Sequence, residues 1–169
     1  MFCTECERQM KVIPASAKRS YHYTESGLSN VYLLGIDVYE CADCSAERPL
    51  IPRMKELHEV IASTLIDKPA PLLGEEIRYL RKWMGLQSAK LARWVGVTPE
   101  FISNVEHGRK NLGTPADRLI RLLANCKVKR IDFAHIAKAL DEFCDRRVEP
   151  PSDRTFQLRK QEWVAREAA

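Results

Sequence analysis

Two cysteine pairs stand near the start of the chain, Cys3-Thr4-Glu5-Cys6 and Cys41-Ala42-Asp43-Cys44, separated by the 34 residues 7–40. Two residues between thiols form a tight turn that lets both sulfurs reach one ion, and two such turns supply the four soft ligands of a closed tetrahedral zinc site. With all four positions filled by Cys3, Cys6, Cys41 and Cys44, one Zn2+ is expected to serve structure and not to activate water. The competing use of a lone CxxC is a redox dithiol beside a βαβ unit. Residues 7–40 instead offer short alternating runs, Tyr21-His22-Tyr23-Thr24 and Val31-Tyr32-Leu33-Leu34, broken by Gly27 and Gly35. His22 reads as a strand residue. Cys126 and Cys144 lie in apolar patterns without a close partner and are expected in the core.

Charge is the second chemical signal. The chain of 169 residues carries 27 basic and 23 acidic side chains, net +4. The balance is −2 over residues 1–50, zero over 51–73, +7 over 74–130 and −1 over 131–169. A positive excess confined to one central stretch suits a segment facing a polyanion, which makes double-stranded DNA the leading partner.

The elements that must carry this charge are helical. Met54, Leu57, Ile61 and Leu65 recur at three and four residues and predict one amphipathic helix over 53–68. Pro69 and Pro71 then favour an extended connection. Ile77, Leu80 and Trp83 or Met84 form a stripe that Gly85 ends, and a second helix runs from Gln87 or Ser88 to Val95 before Gly96. Thr98 suits an N-cap and Pro99 a first helical position, opening a helix that continues to His107 and stops at Gly108. Thr114-Pro115 repeats that signature for a helix carrying Leu119, Leu122 and Leu123 inward to about Asn125, and residues 131–147 form a last one. Five helices, with only Gly96-Val97-Thr98 between the second and third, describe a helix-turn-helix bundle.

The string Leu91-Ala92-Arg93-Trp94-Val95-Gly96-Val97-Thr98-Pro99 through Ile102-Ser103-Asn104-Val105-Glu106-His107-Gly108-Arg109-Lys110-Asn111 resembles the XRE (phage repressor and Cro) type of DNA-binding domain. Preceded by paired CxxC turns, residues 1–130 resemble the MqsA/YgiT-type antitoxins of bacterial toxin-antitoxin modules. That resemblance implies a structural zinc domain holding a ribonuclease toxin, and a C-terminal domain that dimerises and represses its own operon from a palindromic site. Residues 131–169 run past the family's usual ending, and Glu100 and Asn104 stand where another polar pair is the family's habit.

On the helix that starts at Pro99, Ile102 and Val105 are expected inward, against Leu91 and Val95. Glu100, Phe101, Ser103, Asn104 and His107 are left outward: Asn104 can pair with adenine, Glu100 can accept from cytosine, Phe101 can meet a thymine methyl, and Ser103 can bond a base edge or phosphate. Gln87 and Ser88 at a helix N-terminus, with Lys90, Arg93, Arg109, Lys110 and Asn111, are the expected phosphate anchors, and Thr98 and Pro99 open the reading helix. Arg78, Arg81 and Lys82 are as well suited to solvent as to phosphate, and Glu106 suits a nearby arginine.

The expected fold class is α+β: a β-rich zinc-binding domain with a trailing helix (1–68), a linker (69–74), an all-α five-helix helix-turn-helix domain (75–147) and a C-terminal extension (148–169). No nucleophile elbow, phosphate-binding glycine loop or zinc-protease motif occurs, so no enzyme is expected. With neither a membrane-length apolar run nor a signal pattern at the N-terminus, a cytoplasmic protein is expected. The alternatives are a stand-alone regulator of the same build, without a toxin, and a redox thiol protein. Glu149-Pro150-Pro151-Ser152-Asp153 reads as a linker, and Phe156, Leu158, Trp163 and Val164 beyond it fit neither helical nor strand period.

Overall fold

The computed structural model describes residues 1–146 and the backbone of residues 155–159 and 162–166. The chain is mixed α/β, with a small β-rich N-terminal part and six helices. Strands β1 (Lys11–Pro14), β4 (Asp37–Glu40) and β5 (Glu47–Leu50) form an antiparallel sheet in the order β1-β4-β5, and β2 (Tyr21–His22) pairs with β3 (Tyr32–Leu33). The register Lys11↔Glu40 and Glu40↔Glu47 brings the Glu40 end of the sheet's central strand beside both cysteine turns. His22 lies on β2 and stacks on Tyr32 at 4.7 Å.

Helix α1 (Met54–Asp67) follows, then α2 (Gly74–Met84), α3 (Ser88–Val95), α4 (Pro99–Glu106), α5 (Thr114–Val128) and α6 (Phe133–Asp145). Gly85 and Gly96 end α2 and α3 with φ of 78° and 73°, where a side chain would strain the backbone. Thr98 Oγ1 accepts from the Phe101 N–H at 3.2 Å, the expected cap of α4. No helix among the described residues is long and apolar enough to cross a membrane.

Three expectations are corrected. Helix α5 starts one residue early, with Thr114 inside its first turn and Gly113 at the cap, and its buried face is Ile120, Leu123 and Ala124. Leu122 therefore points outward and is 60% exposed, because the three-residue step from Leu119 rotates it off the stripe. Cys126 is buried as expected, but Cys144 is exposed, its Sγ 3.6 Å from the Arg93 carbonyl. The C-terminal segment holds an antiparallel pair, β6 (Thr155–Arg159) with β7 (Glu162–Arg166), read from sequence as having no period. The linker assigned to residues 149–153 lies outside the described residues.

One buried cluster runs through Tyr23, Leu28 and Leu33 of the β-rich part, Ile61 and Leu65 of α1, and Ile77, Leu80, Leu91, Ile120 and Leu123 of the helices after it. Helix α1 packs on α5 and α2. Residues 69–74 are tied down between them. The Arg121 guanidinium donates to the carbonyls of Leu65, Ile66, Lys68 and Ala70 at 2.7–3.1 Å, and Asp117, which pairs with Arg121 at 2.8 Å, accepts from the Leu72 N–H at 2.9 Å. The buried Glu76 accepts from Lys68 Nζ at 2.8 and 2.9 Å and from the Leu73 N–H at 2.7 Å. These bonds satisfy the last carbonyls of α1 and the first amides of α2, which would otherwise be orphaned.

Candidate metal centre and nucleic-acid interface

The two cysteine turns are built alike. In the first, the Glu7 N–H donates to the Cys3 carbonyl at 2.9 Å and the Cys3 N–H to the Arg8 carbonyl at 2.8 Å. In the second, Ser45 and Cys41 make the same bonds to Cys41 and Ala46, each at 3.0 Å. Glu7 and Ser45, the residues after each second cysteine, have φ of 58° and 55°. Neither is glycine, so no sequence signal marked these left-handed positions.

The turns bring Cys3, Cys6, Cys41 and Cys44 together, all four sulfurs within 4.8 Å of one another. Cys3–Cys44, Cys6–Cys41 and Cys6–Cys44 sulfur distances are 3.5, 3.4 and 3.6 Å. A tetrahedral ion with bonds of about 2.3 Å would set its sulfurs roughly 3.8 Å apart, so a small outward breath accommodates one. Cys3 and Cys41 are buried, with Met10 completing a small cluster of their own. Backbone N–H groups of Cys44 and Asp43 draw the Cys41 thiol down to about 7, and those of Glu5 and Cys6 lower Cys3. At Cys6 the Arg8 N–H favours the thiolate, but hydrogen bonding with Cys41, burial and hydrogen bonding with Cys44 outweigh it and push the thiol up to about 12. Two sulfurs thus favour the thiolate, the form that a metal ion requires.

The basic helices carry the second candidate site. Ile102 and Val105 are buried with Leu91, as expected, and Val95 is half-buried. Gly74 meets the end of α4 so closely that a Cβ on it would lie 2.0 Å from the Val105 carbonyl oxygen. Glu106 is fixed by Arg81, whose Nε and Nη2 donate to its two oxygens at 2.6 and 2.8 Å. Arg81 is therefore a clamp between α2 and α4, while Arg78 reaches His107 Nε2 at 3.5 Å.

Along α4, Glu100 and Ser103 are exposed, as is His107 at its end. Phe101 is half-buried with Lys110 Nζ 5.3 Å over its ring, and Asn104 is half-buried with Oδ1 accepting from Arg109 at 3.5 Å. Thr98, Pro99, Arg109, Lys110 and Asn111 are exposed around them, and Gln87 is exposed at the N-cap of α3. Ser88 Oγ is buried without a hydrogen-bond partner. Lys90 and Arg93 turn elsewhere: both pair with Asp141 of α6, Arg93 also with Asp145 at 2.9 Å, and the Trp94 indole N–H donates to Asp141 at 2.9 Å. That acidic cover could not be foreseen, because 48 residues separate Asp141 from Arg93.

Comparison of the chain with known protein families and with curated proteins finds no match.

Proposed function

We infer that the chain is a sequence-specific DNA-binding repressor, acting as a dimer on a palindromic operator and held together at its N-terminal part by one zinc ion. We assign it further to the antitoxin of a toxin-antitoxin module, its N-terminal part engaging a ribonuclease toxin. The observation that carries the DNA reading is helix α4, packed through Ile102 and Val105, with Glu100, Ser103 and His107 exposed beside Arg109, Lys110 and Asn111. Polar side chains that hydrogen-bond base edges, flanked by cations that meet phosphate, are the two ingredients of groove reading. Four sulfurs at near-tetrahedral spacing on two matching turns support zinc, for which soft thiolates are the preferred donors.

The test is selection of duplexes from a random library by the full chain, followed by two variants. Arg109→Ala should weaken binding similarly on all duplexes and shrink the slope of log K against log salt by about one unit. Asn104→Ala should cost about 1–3 kcal/mol on the selected site, little on random DNA, and leave the slope unchanged. No enrichment of any palindrome, with equal losses on both kinds of DNA, would overturn the reading. Co-purification with the product of a short neighbouring gene tests the toxin.

A further inference from the structure

Beside the end of α4, where Arg78 reaches His107, a cleft opens between the β-rich part, α1, α2 and α5. One lobe, about 300 Å3, is floored by Tyr79 and Trp83 and edged by Arg78 and Lys82 of α2 and by the turn at Ser26 and Gly27. A second lobe, about 550 Å3, is edged by Lys55 of α1 and by Lys127 and Arg130 at the end of α5. His58 and Trp83 line both lobes. His58 also ties the surrounding elements together, its Nε2 3.1 Å from Tyr23 Oη and its Nδ1 2.7 Å from Tyr79 Oη.

The charge of this cleft is lopsided, and of its five cations only Arg78 lies within 4.0 Å of a carboxylate among the described residues, its Nε 3.9 Å from Glu106. Five cations line it against two carboxylates, Glu25 and Glu59, and the Glu25 carboxylate is engaged by the Tyr21 hydroxyl at 2.5 Å. Arg81, Lys90, Arg93 and Arg121 each have a carboxylate partner within 4.0 Å. Among the described residues Lys55, Lys82, Lys127 and Arg130 have none. Lys127 is half-buried, with its Nζ 5.0 Å over the Trp83 ring and donating to the Trp83 carbonyl, so its charge is met by a ring face and a carbonyl dipole and by no carboxylate among the described residues. Arg78 and Lys82 are four residues apart on one helix face, while Lys127 in the last turn of α5 and Arg130 just past its end bring charge from the other side.

We propose that this cleft binds a small molecule carrying a diphosphate group, the cations of α2 and α5 gripping the phosphates and the aromatic wall meeting whatever ring the molecule bears. The lobes fall within the usual size range of small-ligand sites, and each oxygen of a diphosphate can take a charge-assisted hydrogen bond. A bound diphosphate touches all the elements that His58 joins, so it stabilises their packing.

The experiment is calorimetric titration of the full chain at physiological salt with ADP, inorganic pyrophosphate and inorganic phosphate. Saturable one-to-one binding of ADP or pyrophosphate, with phosphate weaker, is the expected result. ADP tighter than pyrophosphate assigns a nucleotide; equal affinities assign the diphosphate alone. Lys82→Glu with Arg130→Glu, at exposed positions, should lower affinity by about tenfold or more, whereas Lys11→Glu with Lys18→Glu, an equal charge change on the β-rich part, should not. A melt of each variant shows that it folds, and quenching of tryptophan emission gives a second readout of binding. Absence of binding at millimolar ligand, or equal losses in the two double variants, would overturn the proposal. So would a cleft variant that loses duplex affinity in a chain that ignores ADP and pyrophosphate, since the cleft would then be a flanking DNA contact.

Discussion

Arg81 on α2 meets both carboxylate oxygens of Glu106 on α4, at 2.6 and 2.8 Å, with side chains only 12% and 5% exposed. Its third nitrogen donates to the Leu86 carbonyl at 2.9 Å, so one guanidinium fixes α4 and the turn before α3. Arg81→Ala strands a buried carboxylate and should lower stability by about 3–5 kcal/mol in a urea melt. Replacing Glu106 as well, by Gln, should recover part of that loss. Equal stability of Arg81→Ala and the parent chain would remove the clamp from the account of how α4 is held.

Gly74 offers a separate check on the same contact. A Cβ there lies 2.0 Å from a backbone oxygen, which no rotamer change relieves, so Gly74→Ala should cost about 3 kcal/mol. The loss should show first as faster amide exchange in α2 and α4.

Cys41→Ser removes one of four sulfurs. Metal content should fall well below one ion per chain, and the two cysteine turns, whose own buried cluster is only Cys3, Met10 and Cys41, should lose their ordered structure, while Tyr23, Leu28 and Leu33 stay in the main core. Acidification acts the same way, because each released thiolate takes up a proton; metal retention should therefore decline as pH falls. Full metal occupancy in Cys41→Ser would sink the four-sulfur site.

Asp141 has its carboxyl held at about 2 instead of 3.8, chiefly by the Lys90 ammonium and the Trp94 indole N–H, with Arg93 adding to them. A carboxyl whose value is lowered by folding contributes stability that is complete above its ordinary value and is lost as pH falls toward the folded one. Asp141→Asn should therefore loosen α6 at neutral pH, and the difference from the parent chain should shrink between about pH 4 and pH 2. A gap that stays constant over that range would mean that the carboxylate charge is not what holds α6.

The helices were largely legible in the sequence because their ends are chemical. Gly85 and Gly96 supply left-handed caps, and Thr98-Pro99 supplies an acceptor and a fixed φ. The cysteine cluster was legible because spacing alone constrains a four-sulfur site. The three-stranded sheet was not: β5 contains Arg48 and Pro49, which resemble no strand, and it forms by pairing with β4 across the second cysteine turn. Lys90 and Arg93 were read as phosphate anchors because charge is visible along the chain, whereas the α6 carboxylates opposite them are brought near only by folding.

The grip of Arg121 on the carbonyls from Leu65 to Ala70 turns the proline-containing connection into a strut. Chain cut at residue 74 would leave that guanidinium facing water and strip the α1 cover from α5. The smallest piece able to keep α4 in shape thus begins before α1, near residue 51. Rotation about the prolines is also closed off as a way of repositioning the cysteine-bearing part against α4. Any signal passing from the sulfur cluster to α4 must travel through packed side chains.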